Sequence, residues 1–290
     1  IYAAVLSPDA WEVVTASEDR TARVWSIENG DCRLILAGHL GEVYSAVFSA
    51  DGRLVVTASE DRTAKIWEID AGDCLWTLTG HTSEVMIATF SADCLTVVTA
   101  SGDGTARIWD RGTGMPSVIL KGHRGEVWRA TFSPDDRLVV TASLDRTARI
   151  FESSTGHCRF QLVGHEADVK FAQFSPDGQM VITTSDDQTA RLWKTANGEC
   201  LWTLVGHSDV VYVADFSPDS QSVATVSEDC TARVWNTKTG KARVVLSDHL
   251  GAVTSVAFSR DGQRIVTTSW DETAKIWSSD TGECLETLEG

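Results

Sequence analysis

A phrase that returns every 42 residues limits what this chain can fold into. Gly-His stands at Gly38-His39, Gly80-His81, Gly122-His123, Gly164-His165 and Gly206-His207, with Asp248-His249 in the sixth place. A second phrase, S-x-D-x-T-A-[RK]-x-W, keeps the same period. Its aspartates are Asp19, Asp61, Asp103, Asp145, Asp187, Asp229 and Asp271. Its last position is Trp25, Trp67, Trp109, Phe151, Trp193, Trp235 and Trp277. Self-similarity at a fixed period of this size marks a repeat architecture. Seven units cover the chain without insertions or a visible linker. The expectation is a single domain over 1–290, with units near 1–37, 38–79, 80–121, 122–163, 164–205, 206–247 and 248–290.

Each unit reads as four short strands. In the second, "VYSAVFS" is rich in β-branched and aromatic residues and runs into the turn Ala50-Asp51-Gly52. "RLVVTAS" follows, then the turn Glu60-Asp61-Arg62, then "TAKIW", the Ala71-Gly72 turn and "CLWTLT". A four-stranded sheet apolar on both faces cannot bury them alone. Radial packing of such sheets does, so the expected fold is an all-β, seven-bladed β-propeller with four antiparallel strands per blade. Ile1 aligns with Val43, so each blade is expected to come from one contiguous segment. Ile1 also reads as a cut inside a longer chain.

The period, the Gly-His dipeptides and the Trp landmarks resemble the WD-repeat family over all 290 residues. The similarity of the units also resembles the WD-repeat arrays of some nucleotide-binding signalling proteins. The resemblance implies a rigid platform for protein or peptide partners.

Ser, Asp and His recur together in a way that imitates a hydrolase triad. A nucleophilic serine needs a free hydroxyl facing an oxyanion hole, and an enzyme needs one distinctive site, whereas this trio recurs six times. The resemblance implies a structural network instead, in which serine accepts the indole N–H and His links serine to aspartate. Its members would be His39, Ser59, Asp61 and Trp67; His81, Ser101, Asp103 and Trp109; His165, Ser185, Asp187 and Trp193; His207, Ser227, Asp229 and Trp235; and His249, Ser269, Asp271 and Trp277. In the fourth unit Phe151 has no N–H for Ser143. No catalytic residue is therefore expected, and a hydrolase ranks third among the readings.

The net charge is −16. Nucleic-acid affinity needs clustered Lys and Arg, so a nucleic-acid partner is excluded and a basic protein partner is favoured. No apolar run approaches the ~20 residues that span a bilayer, so no membrane partner is expected. Seven cysteines and the absence of an N-x-S/T sequon point to a reducing setting, cytoplasm or nucleus. Cys74 and His81 lie ~23 Å apart on an extended strand, too far to share a metal. No phosphate-binding Gly-rich loop is present. Neither metal nor cofactor is expected, and the propeller should be monomeric.

Near-identical units make variation informative. Positions that vary most flank the inner-strand valine and the turn aspartate, and both flanks fall at one end of each blade. Around the valine stand Tyr2, Glu42, Tyr44, Glu84, Met86, Glu126, Trp128, Asp168, Lys170 and Tyr212; before the aspartate stand Glu18, Glu60, Leu144, Asp186, Glu228 and Trp270. The resemblance makes this end the top face of the propeller. Aromatic anchors among acids suit a protein or peptide segment carrying Lys or Arg. The leading expectation is thus a non-catalytic interaction scaffold; the alternative is a sensor or autoregulatory domain of a larger signalling protein. The cations Arg23, Lys65, Arg107, Arg149, Arg191, Arg233 and Lys275 are expected to pair with acids between blades. Trp11, read as replacing the turn glycine of Gly52 and Gly178, would sit at the opposite end.

Overall fold

The computed structural model describes residues 1–289. The described residues form twenty-eight strands and no helix. The strands make seven four-stranded antiparallel sheets, each from consecutive strands in chain order: a seven-bladed β-propeller. Two compact units make up the chain, Ile1–Thr141 with Phe151–Arg159, and Ala142–Ile150 with Phe160–Gly290.

Blade 2 shows why the repeat folds this way. Its strands are Val43–Phe48, Leu54–Ser59, Ala64–Glu68 and Cys74–Leu78. The second strand, LVVTAS, is buried at every position, so alternation disappears and both faces demand a neighbour. In the first unit, Val56, Ala58, Ala64, Ile66 and Leu78 of blade 2 pack on Val85, Ala88, Val97 and Trp109 of blade 3. Blade 1 meets blade 2 through Val24 and Leu36 against Val43 and Trp67. In the second unit, Ile182, Leu192 and Leu204 of blade 5 pack on Ala214, Val223 and Trp235 of blade 6. Blade 6 repeats this contact against Val253, Ile265 and Trp277 of blade 7. Each fully buried Val or Leu contributes roughly 1.5–3 kcal/mol, so the same apolar positions in every unit set the fold.

Blade 7 departs from this pattern, and its second strand, Arg264–Ser269, is exposed at positions buried in Ser222–Ser227. Leu288 is 45% exposed where Leu246 is 1%, and Val266 is 37% exposed where Ala224 is 0%.

The turns between first and second strands are held by a serine and an aspartate. In blade 2, Ser49 Oγ donates to Asp51 Oδ1 and accepts the Leu54 amide at 3.0 Å. In blade 1 the left-handed residue of this turn is Ala10, with φ 63°. Trp11 follows it and is 64% exposed. The expectation that Trp11 replaces the glycine is thus corrected by one position: Ala10 takes the left-handed φ, and the bulky indole takes the next residue, just before the strand Glu12–Ala16.

Candidate functional site

At one end of blades 2, 3, 5, 6 and 7 a buried relay and an exposed rim lie side by side. The relay begins with the turn aspartate. Asp61 Oδ1 accepts the Thr63 amide at 3.0 Å and the Thr63 hydroxyl at 2.6 Å, and Oδ2 accepts the Leu40 amide at 2.8 Å. His39 Nδ1 lies 2.8 Å from the same Oδ2. An ionised carboxylate only accepts, so Nδ1 carries the proton. His39 Nε2 then accepts from the Thr57 hydroxyl at 2.7 Å, and Thr57 Oγ1 receives the Trp67 indole N–H at 2.9 Å. Burial is the main cause that pushes His39 below its ordinary pKa. This neutral ring suits the proton placement.

The chain Asp–His–Thr–Trp recurs as Asp103–His81–Thr99–Trp109. In the second unit it is Asp187–His165–Thr183–Trp193, Asp229–His207–Thr225–Trp235 and Asp271–His249–Thr267–Trp277. The serine role expected from the sequence is corrected by this geometry. Threonine, two residues earlier and on the same face of the strand, receives the indole. Ser59 Oγ instead donates to the Gly41 carbonyl at 3.2 Å and accepts the Asp61 amide at 3.1 Å. Ser101, Ser185, Ser227 and Ser269 bond in the same way to Ser83, Ala167, Asp209 and Gly251 carbonyls. Both histidine nitrogens are therefore engaged without serine, and these serines clamp the loop. Phe151 is fully buried, and His123 Nε2 still reaches Thr141 Oγ1 at 2.7 Å. The threonine was legible: Thr15, Thr57, Thr99, Thr141, Thr183, Thr225 and Thr267 keep the 42-residue period.

Asp103, Asp187 and Asp229 titrate well below the usual carboxylate range. Burial alone would raise them, but hydrogen bonds from His81, His165 and His207, and from the turn threonines, outweigh it. Gly-His has its own steric reason. A Cβ on Gly80, at φ 147°, would come within 2.8 Å of Arg107 Nη1 and 3.6 Å of Trp109 Cη2. In the sixth copy, Asp248 stands there and reaches Lys275 Nζ at 3.7 Å. Three of the seven cations thus differ from the expected pairing with acids between blades, since Arg23, Lys65 and Lys275 find partners within their own units. Arg23 pairs with Asp19 of its own turn at 2.8 Å, and Lys65 Nζ donates to Thr77.

The rim is built by a β-bulge. In blade 2, Val43 pairs with Ser59 but Ser45 pairs with Ala58, which leaves Tyr44 as the extra residue. The same irregularity singles out Met86, Lys170, Tyr212 and Thr254. A bulged residue has no cross-strand partner and its side chain is re-aimed. The variable series after the valine is this bulge series, which sequence periodicity could not reveal because a bulge changes pairing and not spacing. The other variable series is tied to it by backbone. The amides of Glu60, Gly102, Asp186, Glu228 and Trp270 bond the carbonyls of Glu42, Glu84, Asp168, Val210 and Ala252, each near 3.0 Å or shorter.

In the first unit, Tyr2 Oη donates to Glu42 Oε2 at 2.6 Å and meets Tyr44 edge-on with centroids 5.6 Å apart. Trp128, 39% exposed, donates its indole N–H to Glu126 at 3.2 Å. Glu84 bonds Ser83, Glu60 reaches the Glu42 amide, and Glu18 is exposed. In the second unit, Lys170 pairs with Asp186 at 3.0 Å, Tyr212 Oη donates to Glu228 Oε2 at 2.7 Å, and Leu144 and Asp168 are half-buried. The three tyrosines titrate high. The hydrogen bond to Glu42 raises Tyr2 to about 12, burial and Glu228 raise Tyr212 to about 12, and burial with Glu60, Glu42 and Glu84 raises Tyr44. The carboxylates at this end therefore disfavour a further negative charge.

Among family models, that of the WD domain, G-beta repeat, matches residues 30–68, 72–110, 114–152, 156–194, 198–236 and 240–278. No curated protein matches the chain.

Proposed function

The chain belongs to the WD-repeat family, a fold that generally serves as a protein-interaction scaffold, and we propose that its own interaction surface is the rim of bulge and turn residues. The partner is a protein or peptide segment that presents Lys or Arg. One observation carries this reading: the bulge projects Tyr44, Met86, Lys170, Tyr212 and Thr254, which vary among near-identical blades, beside a relay whose histidines and threonines five blades repeat and bury. A rigid frame with variable loops is where binding usually resides. Tyr44 and Trp128 offer aromatic anchors, and Glu42, Glu60, Glu84 and Glu126 supply the complementary charge. No redox, metal or nucleophilic chemistry enters this proposal.

The test is affinity capture with the whole chain and with Tyr44→Ala/Trp128→Ala. Loss of captured partner with unchanged thermal stability supports the rim. Undiminished capture by the double variant excludes it.

A further inference from the structure

We propose that the second unit carries a seat for a single arginine side chain, formed by Tyr212, Trp270 and Glu228. This rests on the rim reading above and names the chemistry that one part of the rim selects.

The two rings come from adjacent blades. Tyr212 is the bulge residue of Val211–Phe216, and Trp270 precedes the turn aspartate Asp271. Their centroids are 6.4 Å apart and their planes are inclined by 45°, so the faces diverge as a wedge. The Tyr2–Tyr44 pair in the first unit differs. At 77° and 5.6 Å, one ring edge fills the other's face. Trp270 is 68% exposed, so the indole face is open to a ligand.

Both rings stand on fixed backbone. The Tyr212 carbonyl accepts the Thr184 hydroxyl at 2.9 Å. The Trp270 amide bonds the Ala252 carbonyl at 2.9 Å. Gly251 lies so close beneath the turn that a Cβ there would approach the Trp270 carbonyl carbon to 3.1 Å. The backbone that carries the two rings is therefore preorganised, which lowers the cost of ordering them on binding.

The charge at the wedge is negative. Glu228 Oε2 is held by the Tyr212 hydroxyl, and Asp209 and Asp186 add to the negative field at Tyr212. Lys170 offsets Asp186 through its 3.0 Å pair. Two aromatic faces beside a carboxylate attract a cation. Guanidinium fits better than ammonium. It is planar, stacks on aromatic faces, is weakly hydrated and keeps an N–H fork for the carboxylate. A lysine ammonium would lose more hydration and gain no stacking.

The experiment follows the Trp270 indole N–H resonance of the full chain, identified by its loss in Trp270→Phe. The probes are N-acetyl-arginine amide, its neutral isostere N-acetyl-citrulline amide, N-acetyl-lysine amide and N-acetyl-trimethyllysine amide. The expected result is a saturable shift with arginine, at least five-fold weaker binding of lysine, and no saturable shift with citrulline. Glu228→Gln should weaken arginine binding several-fold while the remaining amide spectrum stays unchanged. No saturation with arginine, equal response to citrulline, tighter binding of trimethyllysine, or an unaltered affinity in Glu228→Gln would each overturn the seat. The outcome is separable from the rim reading. If arginine binds while Tyr44→Ala/Trp128→Ala still captures partner, only the rim reading falls. If that variant loses capture while arginine fails to bind, only the seat falls.

Discussion

The relay and the rim share the same turns and have opposite logic. In blade 3, Asp103 is bonded by His81, by the Thr82 amide and by both groups of Thr105, with 6% of its side chain exposed. In the same blade Met86 is a bulge residue without a cross-strand partner. The first position tolerates one solution and the chain repeats it. The second is released from the ladder and varies freely. Polar satisfaction makes the turn rigid, and rigidity makes variation beside it harmless to the fold.

Removing His81 is the largest expected perturbation. His81→Ala leaves Asp103 and Thr99 without their shared partner. The expected cost is ~3–5 kcal/mol, from a charge-assisted hydrogen bond lost to a buried carboxylate together with the cavity left by the ring. Chemical denaturation reads it, and a loss below ~1 kcal/mol would erase the distinction drawn here.

Acidification should act on the relay through His39 and the turn aspartates. His39 is held neutral by burial, with its folded pKa below its ordinary value. The unfolded chain therefore binds more protons, and stability falls as pH drops below ~6.5. Asp103, Asp187 and Asp229 have depressed folded values. Their contribution is complete above ~4 and is lost progressively below it. Urea midpoints between pH 8 and pH 3 should fall in these two windows. A midpoint that stays constant to pH 3 would contradict both.

Asp19 and Asp103 occupy equivalent turns but differ in surroundings. Asp19 is 45% exposed and pairs with Arg23. Asp19→Asn should cost under ~1 kcal/mol, as exposed ion pairs do. Asp103→Asn should cost several times more. Equal losses would show that the turn threonine, and not the histidine, sets the value of the aspartate. The smallest effect belongs to the rim: Met86→Ala should change stability by about 0.5 kcal/mol or less, as surface substitutions do.

Much of this was legible in the sequence. The 42-residue period carried the blade number, and the strand runs carried their order, because burial of both faces leaves its mark on every unit. The relay was half legible. Asp, His and Trp were identified, yet threonine was overlooked beside a serine whose hydroxyl turned to the loop carbonyl. Which acids the cations meet was not legible, since Arg23 and Lys275 reach local carboxylates by side-chain conformation alone. The bulge was invisible for a geometric reason: the strand keeps its length and only the pairing slips.

Proteins usually resist changes inside a sheet, because a residue is judged by its opposite neighbour. Tyr44, Met86, Lys170, Tyr212 and Thr254 stand outside that backbone register. Each can be exchanged like a type block in a frame, with the backbone pairs on either side left in register. A library built at these five places could respell the recognised segment one character at a time.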